Sequence, residues 1–583
     1  MCAFREKLSH EVVVASVLAS AAGLLRLQFS KLCGVGLALG TLFFAASLTP
    51  TLVPRTYLTQ GVLAGVSFGA GYGLGVLGNW LWTYLELPRI AERRRRTGVL
   101  LLAALCLVIC IIYLWRAAEW QNSIRALMQL EPVSSAHPFT VCAAALVTFA
   151  VLILLARLFA YAARALSARA SRFVPRRVAI VIGYSAAIFL FWSLASGVLL
   201  RTTFQFVEST FRELDALIEP ERPQPTDPAR AGSVASLLKW DELGRAGREF
   251  IASGPSAAEI TAFTKKAARE PIRVYVGLRG AESVKARAEL ALAELKRVKA
   301  FQRAVLVVIT PTGTGWVDPS AMDALEYLHQ GDVASVAVQY SYMSSPLSLL
   351  LQPEYGSATA RALFSAVYDY WTTLPKDQRP RLYLHGLSLG AMNSERSVEL
   401  LDMIGDPING ALWSGPPFGS RLWRAFTDGR APGTPAWLPT YRDSRAVRFM
   451  NQDGSRVPRG TPWGPLRIVY LQYASDAVTF FDPHGFYQRP AWLDPRGPDV
   501  SPEFRWYPIV TTLQIGLDMA MATTTPMGYG HVFAPEHYVD AWVAVTDVQN
   551  WSDDELAALK KHLRAAADAN AARRQSAYGD RGG

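Results

Sequence analysis

Long apolar runs occupy the first third of the 583-residue chain, and shorter runs broken by polar residues replace them further on. Five of the long runs approach the ~20 residues that a helix needs to cross a bilayer. They are Leu32–Leu48, Gly61–Leu85, Val99–Trp115, Phe139–Phe159 and Val178–Leu200. Buried helices of a water-soluble protein seldom give so many long uncharged runs, so the pattern predicts a transmembrane domain over residues 1–205 with about five spans. A shorter run, Val12–Leu25, is interpreted as interfacial.

From Pro271 onward the spacing of apolar residues changes. Short, nearly all-apolar stretches predict six strands, namely Ile272–Val276, Ala304–Ile309, Ala334–Gln339, Arg381–His385, Gly410–Trp413 and Leu466–Tyr473. Segments with apolar residues every three or four positions predict the helices between and after them: Ala281–Lys299, a helix within Pro319–His329, a helix around Thr359–Thr372, Leu389–Ile404 and His537–Val545. This alternation predicts a mostly parallel sheet covered by helices on both faces.

The same pattern divides the rest of the chain. Residues 206–270 are interpreted as a juxtamembrane linker with short helices, and residues 271–550 as an α/β domain. Residues 551–583 are predicted to form a C-terminal helix, opened by the capping box at Ser552–Glu555, and a solvated tail from Ala569.

The formal net charge of +11 lies in the loops of the apolar region. Residues 157–177 hold six arginines and no acidic residue, and residues 86–97 hold five arginines against two glutamates. Because lysine and arginine gather on the cytoplasmic side of short loops, this alternation predicts a multi-pass plasma-membrane protein whose C-terminal domain lies outside the cytoplasm. The lipid bilayer, rather than a nucleic acid, is therefore the expected partner of the positive charge.

All five cysteines precede residue 143, so the C-terminal domain has neither disulfides nor a thiolate zinc site. No metal or cofactor is predicted. The oligomeric state is not indicated by any pattern.

The stretch Arg381–Glu395, RLYLHGLSLGAMNSE, contains the pattern G-x-S-x-G where a predicted strand becomes a predicted helix. This arrangement is typical of a nucleophilic serine on a sharp turn. Ser388 is the predicted nucleophile, and Gly386 and Gly390 are predicted to leave room for the turn because side chains there would collide with neighbouring elements.

A serine hydroxyl needs a base, and the base needs an orienting acid. In this arrangement the acid and the histidine follow the serine in that order. Asp476, just beyond the last clear strand, is the predicted acid, with Asp482 as its nearest competitor. His531 in the glycine-containing loop Met527–Val532 is the predicted base; His537 and His484 stay open as alternatives. Arg505–Val510 is a candidate eighth strand before this histidine.

Attack on an ester carbonyl creates an oxyanion that needs donors in place beforehand. The amide of Leu389, directly after the nucleophile, is one predicted donor. The second is predicted in the loop after the strand Ala304–Ile309, at Thr312 or Gly313. A nucleotide-binding interpretation of this loop fails because the dinucleotide pattern needs a third glycine where the chain has Asp318.

Residues 416–465 form an insertion rich in aromatics, among them Trp423, Phe426, Trp437 and Trp463. Its position after the strand that follows the nucleophile helix is where lids and substrate-binding caps lie. Aromatics here would meet an acyl chain or the membrane interface, or simply pack a long loop.

Several stretches together resemble the actinobacterial membrane-anchored α/β-hydrolase family: TPTGTGWVDP, VQYSY, LHGLSLGA, YLQYASD, GYGH and the N-terminal SLTPTLVPR. The resemblance implies a multi-spanning domain joined to an α/β-hydrolase domain, with Ser388, Asp476 and His531 as the triad. The expected activity is that of a serine ester hydrolase, esterase- or lipase-like, on acyl esters such as cell-envelope lipids. The alternatives are an acyltransferase using the same triad and a non-catalytic hydrolase-fold binding or sensing module.

Overall fold

The computed structural model describes residues 32–88, 92–194, 196, 211–213, 215–219, 222–343, 353–398, 405–458 and 460–579. The predicted interfacial stretch Val12–Leu25 lies outside these residues, as does the predicted helix end at 399–404. Within the described residues the chain forms two compact units. One contains the described residues up to Ile188 together with Glu503–Gln514, and the other contains the described residues from Phe189 to Pro502 and from Ile515 onward.

Apolar helices build the first unit. They are α1 (Gly34–Ser47), α2 (Tyr57–Tyr84), α3 (Glu92–Leu127), α4 (Pro138–Ala170) and α5 (Arg176–Ser193). Four of them, α2 to α5, are long and apolar enough to cross a membrane. The first predicted span is represented by α1, whose 14 residues cover about 21 Å, short of the ~30 Å hydrocarbon core. The described residues thus hold four long apolar helices and one shorter one.

The helices of this unit pack through small residues. A Cβ added to Gly75 of α2 would lie 2.5 Å from Cα of Gly36 in α1, so the two backbones are in close contact. Small residues that let helices approach are common where no water-driven burial is available. By contrast, many large side chains on the outside of α3, such as Leu100 and Leu101, are exposed. Such an apolar exterior is unusual for a protein surrounded by water.

A segment from late in the chain also belongs to the first unit. Trp120 donates through Nε1 to Glu503 at 2.8 Å. The side-chain amide of Gln514 donates to the carbonyls of Ala46, Ser47 and Thr49 at 3.1–3.3 Å. The candidate strand Arg505–Val510 lies in this segment, and the prediction of a strand is wrong. Pro508 offers no backbone donor and Ile509 has φ of 65°, neither of which suits a sheet.

The second unit is built on a seven-stranded parallel sheet in the order β1-β3-β2-β4-β5-β7-β6. Its strands are β1 (Ile272–Val276), β2 (Val305–Thr310), β3 (Val333–Val338), β4 (Arg381–Leu387), β5 (Gly410–Ser414), β6 (Val447–Met450) and β7 (Arg467–Leu471). Most strand residues are buried, as expected when helices cover both faces. All six predicted strands are present within a residue or two, and β6 is an additional edge strand inside the segment interpreted as an insertion.

The other helices are α6 (Gly244–Ala252), α7 (Ala257–Thr264), α8 (Val284–Arg297), α9 (Pro319–Leu328), α10 (Pro353–Thr373), α11 (Leu389–Ser397), α12 (Arg421–Asp428), α13 (Ala477–Phe480), α14 (Val510–Ala520), α15 (Pro535–Thr546) and α16 (Asp553–Gly579). The first residues of α14, up to Gln514, belong to the first unit. The capping box at Ser552 is present, with reciprocal bonds to Glu555. Helix α16 continues to Gly579, so the predicted solvated tail from Ala569 is largely helical.

The segment interpreted as a linker packs within the second unit. Ser236 donates to Glu294 of α8 at 2.6 Å, and Arg273 of β1 donates to the carbonyl of Phe250 at 3.0 Å. A buried ion cluster joins Arg273 to Asp323 and Glu326 of α9. Ser236 and Phe250, both within residues 206–270, thus contact α8 and β1, and the division of the chain at residues 206 and 270 stays a prediction.

Candidate active site

Ser388 stands between β4 and α11 with φ of 58° and ψ of −126°. Residues other than glycine rarely adopt such angles, and they persist only where the surroundings hold them. Close packing surrounds the turn: a Cβ on Gly390 would collide with the Thr310 carbonyl oxygen, and one on Gly386 would lie 2.6 Å from the amide nitrogen of Ala391. The two glycines therefore provide the space predicted from the sequence.

Asp476 and His531 meet directly. Nδ1 of His531 lies 2.7 Å from Oδ2 of Asp476. The aspartate is completely buried, and its oxygens also accept from the Val478 amide at 2.8 Å and from the Thr479 hydroxyl at 3.1 Å. A carboxylate fixed by several donors holds an imidazole in one tautomer and one orientation.

The His531 ring lies against the end of β5, next to the nucleophile turn. A Cβ added to Gly415 would be 2.7 Å from Cε1 of His531. The preceding residue, Ser414, accepts a hydrogen bond from the Ser388 amide at 2.9 Å. Nε2 of His531 is buried and makes no hydrogen bond within the described part of the chain. The far side of the imidazole is thus available to accept a proton close to where β4 and β5 end.

The competing residues have other contacts. His537 lies 2.6 Å through Nδ1 from the Tyr473 hydroxyl, and burial lowers its pKa. His484 and Asp482 form an exposed pair 3.2 Å apart. His385 on β4, which was not a candidate, is buried with Nδ1 2.9 Å from the Leu412 carbonyl, and burial lowers its pKa to about 4. Of the histidines considered from the sequence, His531 is the one that contacts Asp476.

The predicted oxyanion donors lie at two neighbouring strand ends. Leu389 is the first residue of α11, and the first amides of a helix have no partner within the helix. Across the β2–β4 pairing, the loop after Thr310 passes beside the turn, because Gly390 nearly touches the Thr310 carbonyl. In this loop the Thr312 amide donates to the Trp316 carbonyl at 3.0 Å. The second donor stays a prediction for this loop, at Thr312 or Gly313.

Several buried or half-buried residues around the site were not selected from the sequence. Asp499, which follows no strand, binds Ser475, the residue before Asp476. Gln452, just beyond β6, binds Asp499 and the Gly528 carbonyl. Glu395 of α11 accepts from the Tyr470 hydroxyl and the Leu422 amide. None lies in a short motif, so nothing local in the sequence distinguishes them.

The parallel sheet, the serine turn at the end of β4 and the acid–histidine pair beyond β7 together define a protein of the α/β-hydrolase class. Comparison with family models agrees. Residues 272–559 match the model described as "Alpha/beta-hydrolase family", and residues 48–255 match its N-terminal companion, "Alpha/beta-hydrolase family N-terminus". The chain belongs to this α/β-hydrolase family. No curated protein and no solved structure gave a significant match.

Proposed function

We propose that the chain is a membrane-anchored serine hydrolase that cleaves acyl esters through an acyl-enzyme. Ser388 is the nucleophile in this proposal, His531 the general base and Asp476 the residue that orients the imidazole. The observation that carries the proposal is the buried 2.7 Å contact between His531 and Asp476, formed beside the strand end that binds the Ser388 amide.

The proposed steps follow from these positions. His531 Nε2 takes the Ser388 proton as Oγ attacks the ester carbonyl, and Asp476 stabilises the resulting imidazolium. The amide of Leu389 and the amide of Thr312 or Gly313 bind the oxyanion. The imidazolium then donates its proton to the departing alcohol, and water activated by the same histidine releases the acid from Ser388.

The choice of ester substrate rests on location. Helices α2 to α5 are long and apolar enough to hold the chain in a bilayer. The arginine-rich ends at 86–97 and 157–177 support a cytoplasmic side for those ends. A site tethered in this way, on the opposite side of the membrane, would meet lipids and other acyl esters of the cell envelope.

A fluorophosphonate probe tests the proposal, because it forms a covalent bond only with an activated serine. We expect the purified full-length protein in detergent micelles to be labelled, and Ser388→Ala to lose labelling entirely. Ser335→Ala is the matched control, since Ser335 is a buried serine of β3 that donates to the Ile272 carbonyl. Absence of labelling in the wild type would favour the non-catalytic binding module instead.

A further inference from the structure

Asp499 is a buried carboxylate near the acid–histidine pair, and the proposed catalytic steps do not use it. Asp499 is 4% exposed and lies between Leu493 and the segment that begins at Glu503. Its Oδ2 accepts from the Ser475 amide at 2.9 Å, from the Ser475 hydroxyl at 2.6 Å and from Nε2 of Gln452 at 3.1 Å. Burying a carboxylate is costly unless hydrogen bonds compensate for the lost hydration, and three donors converge on Oδ2 of Asp499.

Ser475 links the residues that precede the acid and the base. It comes directly before Asp476, and its hydroxyl oxygen accepts from the Gly530 amide at 2.9 Å, directly before His531. A hydroxyl has one proton to donate. Because Ser475 donates that proton to Asp499, its lone pairs remain for the Gly530 amide. The carboxylate of Asp499 thus sets the direction of the hydroxyl that holds the histidine loop.

Gln452 makes a second link to the same loop. Its Nε2 donates to Asp499 and also to the Gly528 carbonyl at 3.0 Å. Gly528 and Gly530 have φ of 94° and 56°, values that suit glycine and give the loop little stiffness of its own. On the other side, the His531 amide donates to the Ala522 carbonyl at 3.1 Å. The imidazole is therefore placed by hydrogen bonds to its loop.

We infer that Asp499 is a positioning residue which, through the Ser475 hydroxyl, holds the Gly528–His531 loop so that His531 lies against Asp476. The inference rests on the proposed function for its catalytic consequence. Loss of Asp499 frees the Ser475 hydroxyl to rotate, so its oxygen is no longer held in place as the acceptor of the Gly530 amide. A displacement of the imidazole by about 1 Å then lowers the rate of serine activation about ten- to hundredfold.

Labelling rates separate positioning from a purely electrostatic role. Asp499→Ala and Ser475→Ala are expected to slow fluorophosphonate labelling about ten- to hundredfold. Asp499→Asn, which keeps an acceptor oxygen but no charge, is expected to restore most of the rate. The double variant Ser475→Ala/Asp499→Ala should be about as slow as either single variant, because both act through one hydroxyl. If Asn is as slow as Ala at position 499, charge and not positioning is responsible, and the inference is overturned.

Amide hydrogen exchange measures how firmly the Gly528–His531 loop is held, and it does not depend on catalysis. With full-length protein in detergent micelles, peptides covering residues 526–534 should exchange faster in Asp499→Ala and Ser475→Ala than in wild type or Ser335→Ala. Exchange elsewhere in the second unit should be unchanged, which shows that the variants are folded. An unlabelled wild type would end the proposed function but leave this comparison intact: faster exchange supports the loop's dependence on Asp499, and unchanged exchange in Asp499→Ala overturns it.

Discussion

Close packing of the surrounding backbone, as well as hydrogen bonds, keeps Ser388 in its unusual conformation. Its positive φ is unfavourable for a residue with a side chain, and it persists because β4, α11 and the 310–316 loop enclose the turn. The serine hydroxyl is thereby lifted off the sheet at the point where the helix amides begin. Any atom added to the neighbouring glycines must displace backbone rather than a flexible side chain.

Gly390→Ala therefore should damage both stability and reactivity. Its Cβ would overlap the Thr310 carbonyl oxygen and lie 2.9 Å from the Pro311 carbonyl oxygen. We expect a loss of at least about 2 kcal/mol in the free energy of unfolding and a large fall in fluorophosphonate labelling. Thermal unfolding in detergent and labelling rates measure the two effects. Gly405→Ala is the control, since an added Cβ there meets nothing within 4 Å; equal behaviour of the two variants would contradict the steric argument.

Residues that follow a strand end can be found from sequence, and residues that support them cannot. Ser388 comes directly after β4 and Asp476 lies a few residues beyond β7, two strands whose apolar pattern is clear. Their chain order selects a histidine further on. Asp499 and Gln452 reach the same place from an irregular segment and from beyond a four-residue edge strand. Tertiary contacts alone bring Asp499 and Gln452 close to the site, so no spacing in the sequence predicts their role.

At the scale of elements, the first helix of the insertion is joined to the nucleophile helix. The Leu422 amide, in the first turn of α12, donates to Glu395 of α11 at 3.3 Å, and the Tyr470 hydroxyl of β7 donates to the same carboxyl at 3.1 Å. The insertion also contributes β6 to the sheet, paired in parallel with β7. Four residues give too short a pattern to predict, whereas the longer run Arg505–Val510 suggested a strand that Pro508 prevents.

Glu395 should make stability depend on pH. Burial raises its pKa to about 8, from an ordinary value of 4.5. The contribution of the protonated carboxyl is complete below pH 4.5 and is lost as the pH rises through 8, because folding then requires either a buried charge or proton uptake. In Glu395→Gln the amide oxygen can accept from Leu422 while the Tyr470 hydroxyl accepts from the amide group.

We therefore expect the free energy of unfolding of Glu395→Gln to rise relative to that of wild type as the pH increases from 5 to 8. The size of the raised pKa corresponds to a gain on the order of a few kcal/mol. Free energies of unfolding in detergent at several pH values provide the measurement. Glu289→Gln, at an exposed position of α8, should follow the wild-type pH profile. A difference between Glu395→Gln and wild type that stays constant with pH would refute the prediction.

At the scale of the whole molecule, the order of the chain and the division into units do not coincide. The segment Glu503–Gln514, which lies between Asp476 and His531 in sequence, packs among the helices near Ala46 and Trp120. Long apolar runs predicted about five spans, of which four are long helices, and short apolar stretches predicted six of the seven strands, because each is a local pattern. These patterns could not predict that Glu503–Gln514 packs in the first unit. The contact depends on a single glutamine amide that binds three carbonyls, and such a contact produces no repeated pattern in the sequence.

The distribution of positive charge predicts on which side of the membrane the loops and the second unit lie. The connections between α2 and α3 and between α4 and α5 carry the arginine-rich ends, and helices α3 and α4 separate them. We predict that α3 and α4 each cross the bilayer, so that both arginine-rich ends face the cytoplasm, where lysine and arginine of short loops gather. A further crossing by α5 would place the second unit outside.

Cysteine labelling can test this arrangement, because no native cysteine follows residue 142. In a chain whose five cysteines are replaced by serine, Val234→Cys and Phe173→Cys place single thiols at positions that are 92% and 88% exposed. A membrane-impermeant maleimide applied to intact protoplasts should label Val234→Cys at once and Phe173→Cys only after lysis. The opposite pattern would invert the topology, and labelling of both before lysis would mean that α5 does not separate the two positions by a bilayer.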